Sequence, residues 1–134
     1  TGNSCRSQMA EGWARRLKGD LIEPFSAGTA AKGLDPLAVK AMAEAGVDIS
    51  GHRSKAVTDL QGMEFDYVVT VCSDADANCP FFPAKTRVVH RGFDDPPRLA
   101  AGETDAEKRM AHYRRVRDEI RDFVVALPEA LDTM

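Results

Sequence analysis

Thr1-Gly2-Asn3-Ser4-Cys5-Arg6-Ser7 runs directly into QMAEGWARRLK, residues 8–18, a stretch with amphipathic helical spacing. Read together, the two stretches describe an oxyanion-binding loop at the N-terminus of a helix. Successive backbone N–H groups in such a turn converge on one point, the helix adds the positive end of its dipole, and the Arg6 guanidinium supplies a rigid fork of donors. A tetrahedral oxyanion fits that chemistry, with Thr1, Gly2, Asn3, Ser4, Cys5, Arg6 and Ser7 as its binding residues. Asn3 is expected to brace the loop through side-chain hydrogen bonds or to take up a left-handed backbone, and Cys5 to be structural.

Outward from the loop, strand and helix patterns alternate with no repeat or linker, which favours one α/β domain over residues 1–134 with an open, mostly parallel sheet. Met9, Ala10, Trp13 and Leu17 recur at helical spacing, and Arg15, Arg16 and Lys18 precede Gly19, a C-terminal stop. Residues 21–26 read as a strand, and Asp35-Pro36 as a helix start with Pro at its first position, opening a helix that runs to Gly46. Residues 47–49 read as extended, residues 67–72 (YVVTVC) as a buried strand and residues 87–90 as a short fourth one. Thr104 and Glu107 have capping-box spacing ahead of a stripe of Met110, Tyr113, Val116, Ile120, Phe123 and Leu127, which Pro128 ends.

With 134 residues, 43% of them hydrophobic and 29% charged, the chain can bury a single core. A net charge of −3 disfavours nucleic acid or an anionic membrane as partner. The longest apolar runs are too short to span a bilayer. A cytoplasmic enzyme, monomeric and with no metal site, is the expectation, and three cysteines then point to reactive thiols before structural disulfides.

Two of those cysteines form the second informative feature. Cys72 closes the best strand, and Cys79 follows across Ser-Asp-Ala-Asp-Ala-Asn with Pro80 behind it. In doubly wound sheets ligands sit beyond the carboxyl ends of the strands, so Cys72 and the segment after residues 87–90 reach the same edge as the loop. If residues 72–79 were helical, a rise of about 1.5 Å per residue would hold the two Cα atoms about 10 Å apart. A disulfide tolerates at most about 7 Å, so oxidation requires the segment to unwind. Two inert buried thiols are the other reading of the pair.

With a Cys directly before Thr1 the loop becomes C-x5-R-S, which resembles the signature of the low-molecular-weight protein tyrosine phosphatases. The first strand and the nucleophile it carries are then expected upstream of Thr1, because the sixth position after Cys5 is Glu11 and not an Arg. Together with Ser26-Ala27-Gly28, Asp48-Ile49-Ser50, the C-x6-C pair, GFDDP at residues 92–96 and RVRDEI at residues 115–120, the chain resembles the thioredoxin-coupled arsenate reductases built on that phosphatase fold. The resemblance implies an open parallel four-stranded sheet with flanking helices and a cysteine relay for arsenic detoxification. In that relay the residue before Thr1 attacks arsenate held by the loop amides and Arg6. Cys72 then attacks that sulfur, arsenite leaves, and a Cys72–Cys79 disulfide remains for thioredoxin to reduce. No organic cofactor or metal redox centre is implied.

Asp95, ahead of Pro96, stands where the phosphatases carry their general acid, and a turn cap is its plainer role. The family's paired aromatics after Asp-Pro, which suit aryl phosphates, are replaced by Pro97-Arg98, and this disfavours a tyrosine phosphatase. The alternative reading is a tyrosine or small phosphate-ester phosphatase, and weak phosphatase activity is compatible with the reductase as well. A further alternative is a non-enzymatic oxyanion-binding module. Some of these reductases hold a potassium ion near the loop through an acidic residue at the position of Lys55. A lysine cannot ligate a cation, so no potassium site is expected, and its ammonium is a candidate to meet the same oxygens. The resemblance also implies that His52 hydrogen-bonds the loop backbone.

Overall fold

The computed structural model describes residues 3–28, 31–60, 62–71 and 87–133. In chain order these form α1 (Arg6–Lys18), α2 (Pro36–Glu44), β1 (Tyr67–Thr70), β2 (Arg87–His90), α3 (Pro96–Ala100) and α4 (Ala106–Val125). Short 3-10 turns lie at Val57–Leu60 and Glu129–Thr133.

α1 follows the spacing of its apolar residues, with Met9 and Trp13 buried, although Leu17 is 40% exposed. The Trp13 indole N–H donates to the Arg117 carbonyl at 3.1 Å, which ties α1 to α4. On another side of α1, Gly12 lets Met42, Val47 and Ile49 approach closely: a Cβ there would lie 2.6 Å from the Ile49 Cγ2 methyl. The Asp35 carboxylate accepts from the Leu37 N–H at 2.9 Å and Pro36 opens α2, as residue types at a helix start require. The helix stops at Glu44, two residues short of the expected end, and Gly46 makes the turn out of it at φ +84°.

The cap of α4 is Asp105 and not Thr104: the Asp105 side chain accepts from the Glu107 N–H at 2.8 Å, so Glu107 falls one position too early to complete the expected box. The apolar stripe of α4 packs as its period requires, with Met110, Tyr113, Val116, Ile120 and Val124 buried against α1, α2 and α3. Removing these side chains from water at about 25 cal/mol per Å² is the main force holding the layer together.

β1 and β2 pair in parallel, Val68 opposite Val88 and Val69 opposite Val89. Among the described residues this is a two-stranded sheet, supplemented by a single parallel bridge between Gly28 and Ala56. Residues 21–26, expected as a strand, form no ladder. Pro24 has no N–H to contribute to one. β1 is less buried than a central strand, with Tyr67 exposed and the next three residues intermediate. Its surroundings explain this, since a groove of about 540 Å³ lies between residues 21–27 and β1, lined by Ala10, Phe25, Val69, Val71, Phe123 and Leu127 among others. No helix among the described residues is long and apolar enough to cross a membrane.

Candidate oxyanion site

The ladder between β1 and β2 continues past the strands through Arg91 N–H to the Thr70 carbonyl at 2.9 Å and Phe93 N–H to the Val71 carbonyl at 3.2 Å. It thereby carries residues 91–95 to the edge where β1 ends. Arg6 meets them there. Only 6% exposed, its guanidinium donates to the Phe93 carbonyl at 3.0 Å and lies 3.7 Å from the Asp95 carboxylate. A buried guanidinium held by a carbonyl and faced by a carboxylate has its plane fixed before any anion arrives.

Asp95 occupies the N-cap position of α3, yet its side chain makes no capping hydrogen bond. The plainer role, a turn cap, is therefore not what the carboxylate does here. Asp94 turns outward to Arg115, 3.0 Å away.

Asn3 is the hub of the loop. It is buried and holds φ +51°. Its amide donates to the Ser7 hydroxyl at 2.8 Å, and its Oδ1 accepts from the Gln8 side chain at 2.8 Å and from the Lys55 backbone N–H at 2.7 Å. A left-handed conformation suits Asn better than other residues with a Cβ. Asn3→Ala is therefore expected to destabilise the protein by about 3 kcal/mol, from buried donors left unpaired and a strained backbone. Asn3→Gly relieves the second cost only, so urea unfolding should rank Gly above Ala by about 1 kcal/mol; equal stability of the two would show the backbone there to be unstrained.

Gln8 and Glu11 were not singled out by sequence, although both are buried. Their signal was present: two polar residues three apart on the inner side of an amphipathic helix. The Gln8 amide also donates to the Arg53 carbonyl at 3.1 Å, and its Oε1 meets His52 Nδ1 at 3.1 Å. Among the described residues His52 contacts the side chains of Gln8 and Glu11, while the start of the loop backbone, residues 1 and 2, lies outside them.

Behind the loop, Ser4 accepts from the Asp35 N–H at 2.9 Å, and the Tyr113 hydroxyl donates to the other Asp35 carboxylate oxygen. Cys5 lies in this packed region. Burial, reinforced by the Asp35 and Asp95 charges, pushes its thiol well above the ordinary value of 9.0. Burial and the hydrogen bond to Asp35 likewise raise the Tyr113 hydroxyl. Both groups keep their protons in the folded protein at a pH where the unfolded chain releases them, so the unfolded state binds fewer protons and stability falls as pH rises. Stability is expected to be level up to about pH 8.5 and to decline beyond it, by about 1.4 kcal/mol per pH unit for each group. Cys5→Ala should remove the part of the decline that begins at about pH 8.5, leaving that of Tyr113; an unchanged profile in urea titrations from pH 7.5 to 10 counts against a perturbed Cys5.

Thr1, Gly2, Cys72 and Cys79 lie outside the described residues. Loop residues 3–7, Arg6 and Asp95 are brought together at one edge. Among the described residues no cluster of His, Cys, Asp and Glu has the makings of a metal site.

The whole chain, residues 1–134, matches the model of the low molecular weight phosphotyrosine protein phosphatase family. It is 50% identical over 120 residues to the arsenate reductase of Bacillus subtilis, covering 90% of this chain and 84% of that protein. Its fold is similar to an arsenate reductase solved in the phosphate binding state, with a TM-score of 0.74 at 28% identity, over 93% of this chain and 88% of that one. It is also similar to the thioredoxin-dependent arsenate reductase of Corynebacterium glutamicum, with a TM-score of 0.58 at 26% identity, covering 92% of this chain and 56% of that one.

Proposed function

The chain belongs to the low-molecular-weight phosphotyrosine protein phosphatase family, and from that membership we propose that it is a thioredoxin-coupled arsenate reductase. The observation that carries the reading is the Arg6 guanidinium, buried under the loop and fixed between the Phe93 carbonyl and Asp95. A preorganised donor array of this kind favours a tetrahedral anion and the charge that develops on it during attack.

The chemistry needs a thiolate, two electrons and a proton donor. A thiol delivered directly before Thr1 would lie at a helix N-terminus beside a guanidinium, conditions that favour the thiolate. The groove between residues 21–27 and β1 supports a four-stranded parallel sheet in which a further strand beside β1 delivers that thiol. The thiolate displaces one arsenate oxygen, and Asp95 protonates the departing oxygen. Cys72 then attacks the sulfur: a sulfur–sulfur bond forms, the sulfur–arsenic bond breaks, and its electron pair leaves with arsenic as arsenite. Cys79 attacks Cys72, freeing the first thiol, and thioredoxin reduces the Cys72–Cys79 disulfide. Arsenate reductase names among the relatives and a thioredoxin-dependent one among similar structures support this assignment. A monomer in the cytoplasm, where a reduced thioredoxin pool is available, fits the same reading.

The test follows NADPH oxidation with thioredoxin, thioredoxin reductase and arsenate, using protein that includes the residue preceding Thr1. Arsenate-dependent turnover is expected. Hydrolysis of an aryl phosphate with no such turnover would leave a phosphatase instead.

A further inference from the structure

Behind the oxyanion loop lies a carboxylate almost closed off from solvent. Glu11 Oε1 accepts from the Ser26 hydroxyl at 2.7 Å and stands 3.7 Å from the Lys55 ammonium, while Oε2 is 3.3 Å from His52 Nδ1 and 3.4 Å from the Arg15 guanidinium. Arg15 approaches from water with its side chain 53% exposed, whereas the Lys55 side chain is only 15% exposed. The same ammonium donates to the Arg53 carbonyl at 2.9 Å, and the Lys55 backbone N–H holds Asn3 Oδ1 at 2.7 Å.

A potassium ion beside the loop would need oxygens as ligands, and among the described residues the Glu11 carboxylate, the Ser26 hydroxyl and the Arg53 carbonyl gather around the Lys55 side chain and its partners. The ammonium already engages two of them, and a second positive charge against it would be repelled. These residues do not fit a potassium site. Without that ammonium the carboxylate would keep the Ser26 hydroxyl, His52 and the largely exposed Arg15 guanidinium but no buried cation, and negative charge under a loop built to bind anions would weaken that loop, because charges in a partly buried setting are poorly screened.

We propose that Lys55 is a positioning residue whose ammonium acts as a tethered cation: it neutralises Glu11 beneath the loop and, through its own backbone, pins Asn3, so that oxyanion binding needs no free monovalent ion. The inference rests on reading residues 1–7 as the oxyanion loop. Its chemistry is that of any buried carboxylate, which tolerates burial when paired and hydrogen-bonded and is strongly unfavourable when its partner is removed.

The experiment compares wild type, Lys55→Ala and Lys55→Asp at fixed ionic strength in tetramethylammonium, potassium or ammonium chloride. It reads the Tm and the Kd for inorganic phosphate. Wild type should give the same Tm and Kd in all three salts. Lys55→Ala in tetramethylammonium should show a lowered Tm and a Kd raised about tenfold, with both restored by ammonium or potassium, which a purely packing role for the lysine stem would not produce. Lys55→Asp adds an acidic ligand, and its Tm should rise with potassium. A wild-type Tm that climbs with potassium overturns the proposal. So does a Lys55→Ala protein that matches wild type without added cation or that no cation restores, and so does a Lys55→Asp protein indifferent to potassium. If phosphate fails to bind wild type, the loop reading itself has failed, while the salt dependence of Tm still decides the role of Lys55.

Discussion

Cys79→Ser is expected to reduce one arsenate per protein molecule and then stop, whereas Cys72→Ser releases no arsenite at all. The difference follows from where the electrons come from. Arsenate needs two, and one disulfide supplies them. With Cys79 gone, Cys72 can still attack the loop sulfur bonded to arsenic: the sulfur–arsenic bond breaks, one arsenite leaves, and the protein is trapped with a disulfide between that sulfur and Cys72 that thioredoxin was not positioned to meet. With Cys72 gone, no thiol attacks the sulfur bonded to arsenic, and water can only return the adduct to arsenate. Steady turnover with thioredoxin should be lost in both variants, and rapid-quench arsenite counting separates them. The placement that motivates this is that of Val71, whose carbonyl holds the Phe93 N–H at the edge shared with Arg6, one residue before Cys72. Sustained arsenate-dependent turnover by Cys79→Ser would sink the relay and make residues 72–79 an inert thiol pair.

α1 and α4 were legible because each repeats its apolar residues at a helical period over enough turns, whereas α3, only five residues long, shows no period. α4 has five buried positions at that spacing, and Asp35-Pro36 names the start of α2 without help from tertiary structure. Ends were less legible. Thr104 and Asp105 are both good cap residues, and the one whose side chain accepts from the Glu107 N–H is Asp105. Residues 21–26 carry the apolar content of a strand, yet a strand needs a partner on its edge, and beside this segment the structure has the groove facing β1. Within the site, the loop and Arg6 could be read from consecutive residues. Gln8, Glu11, Ser26, His52 and Lys55 could not be read as one network, since three separated segments contribute to it and only the fold brings their polar atoms together.

Arg6→Lys should lower kcat/KM for arsenate by about 10² to 10³, with Tm little changed. The substitution keeps one positive charge under the loop and loses the fork. In the native protein the guanidinium spans two fixed points, the Phe93 carbonyl at 3.0 Å and the Asp95 carboxylate at 3.7 Å, and its rigid plane sets the direction of its other N–H groups. An ammonium at the end of a shorter, rotatable stem can satisfy the carbonyl or approach an oxyanion, but not hold both in one geometry. The loss should fall mainly on kcat, because the developing charge of the transition state is what a preorganised donor array stabilises beyond its effect on ground-state binding. Arg16→Lys, at an exposed position on the same helix, is the matched control and should leave both constants within experimental error. Equal loss in the two variants would indicate a general effect of charge near α1, and an Arg6→Lys protein within threefold of wild type would remove Arg6 from the reacting centre.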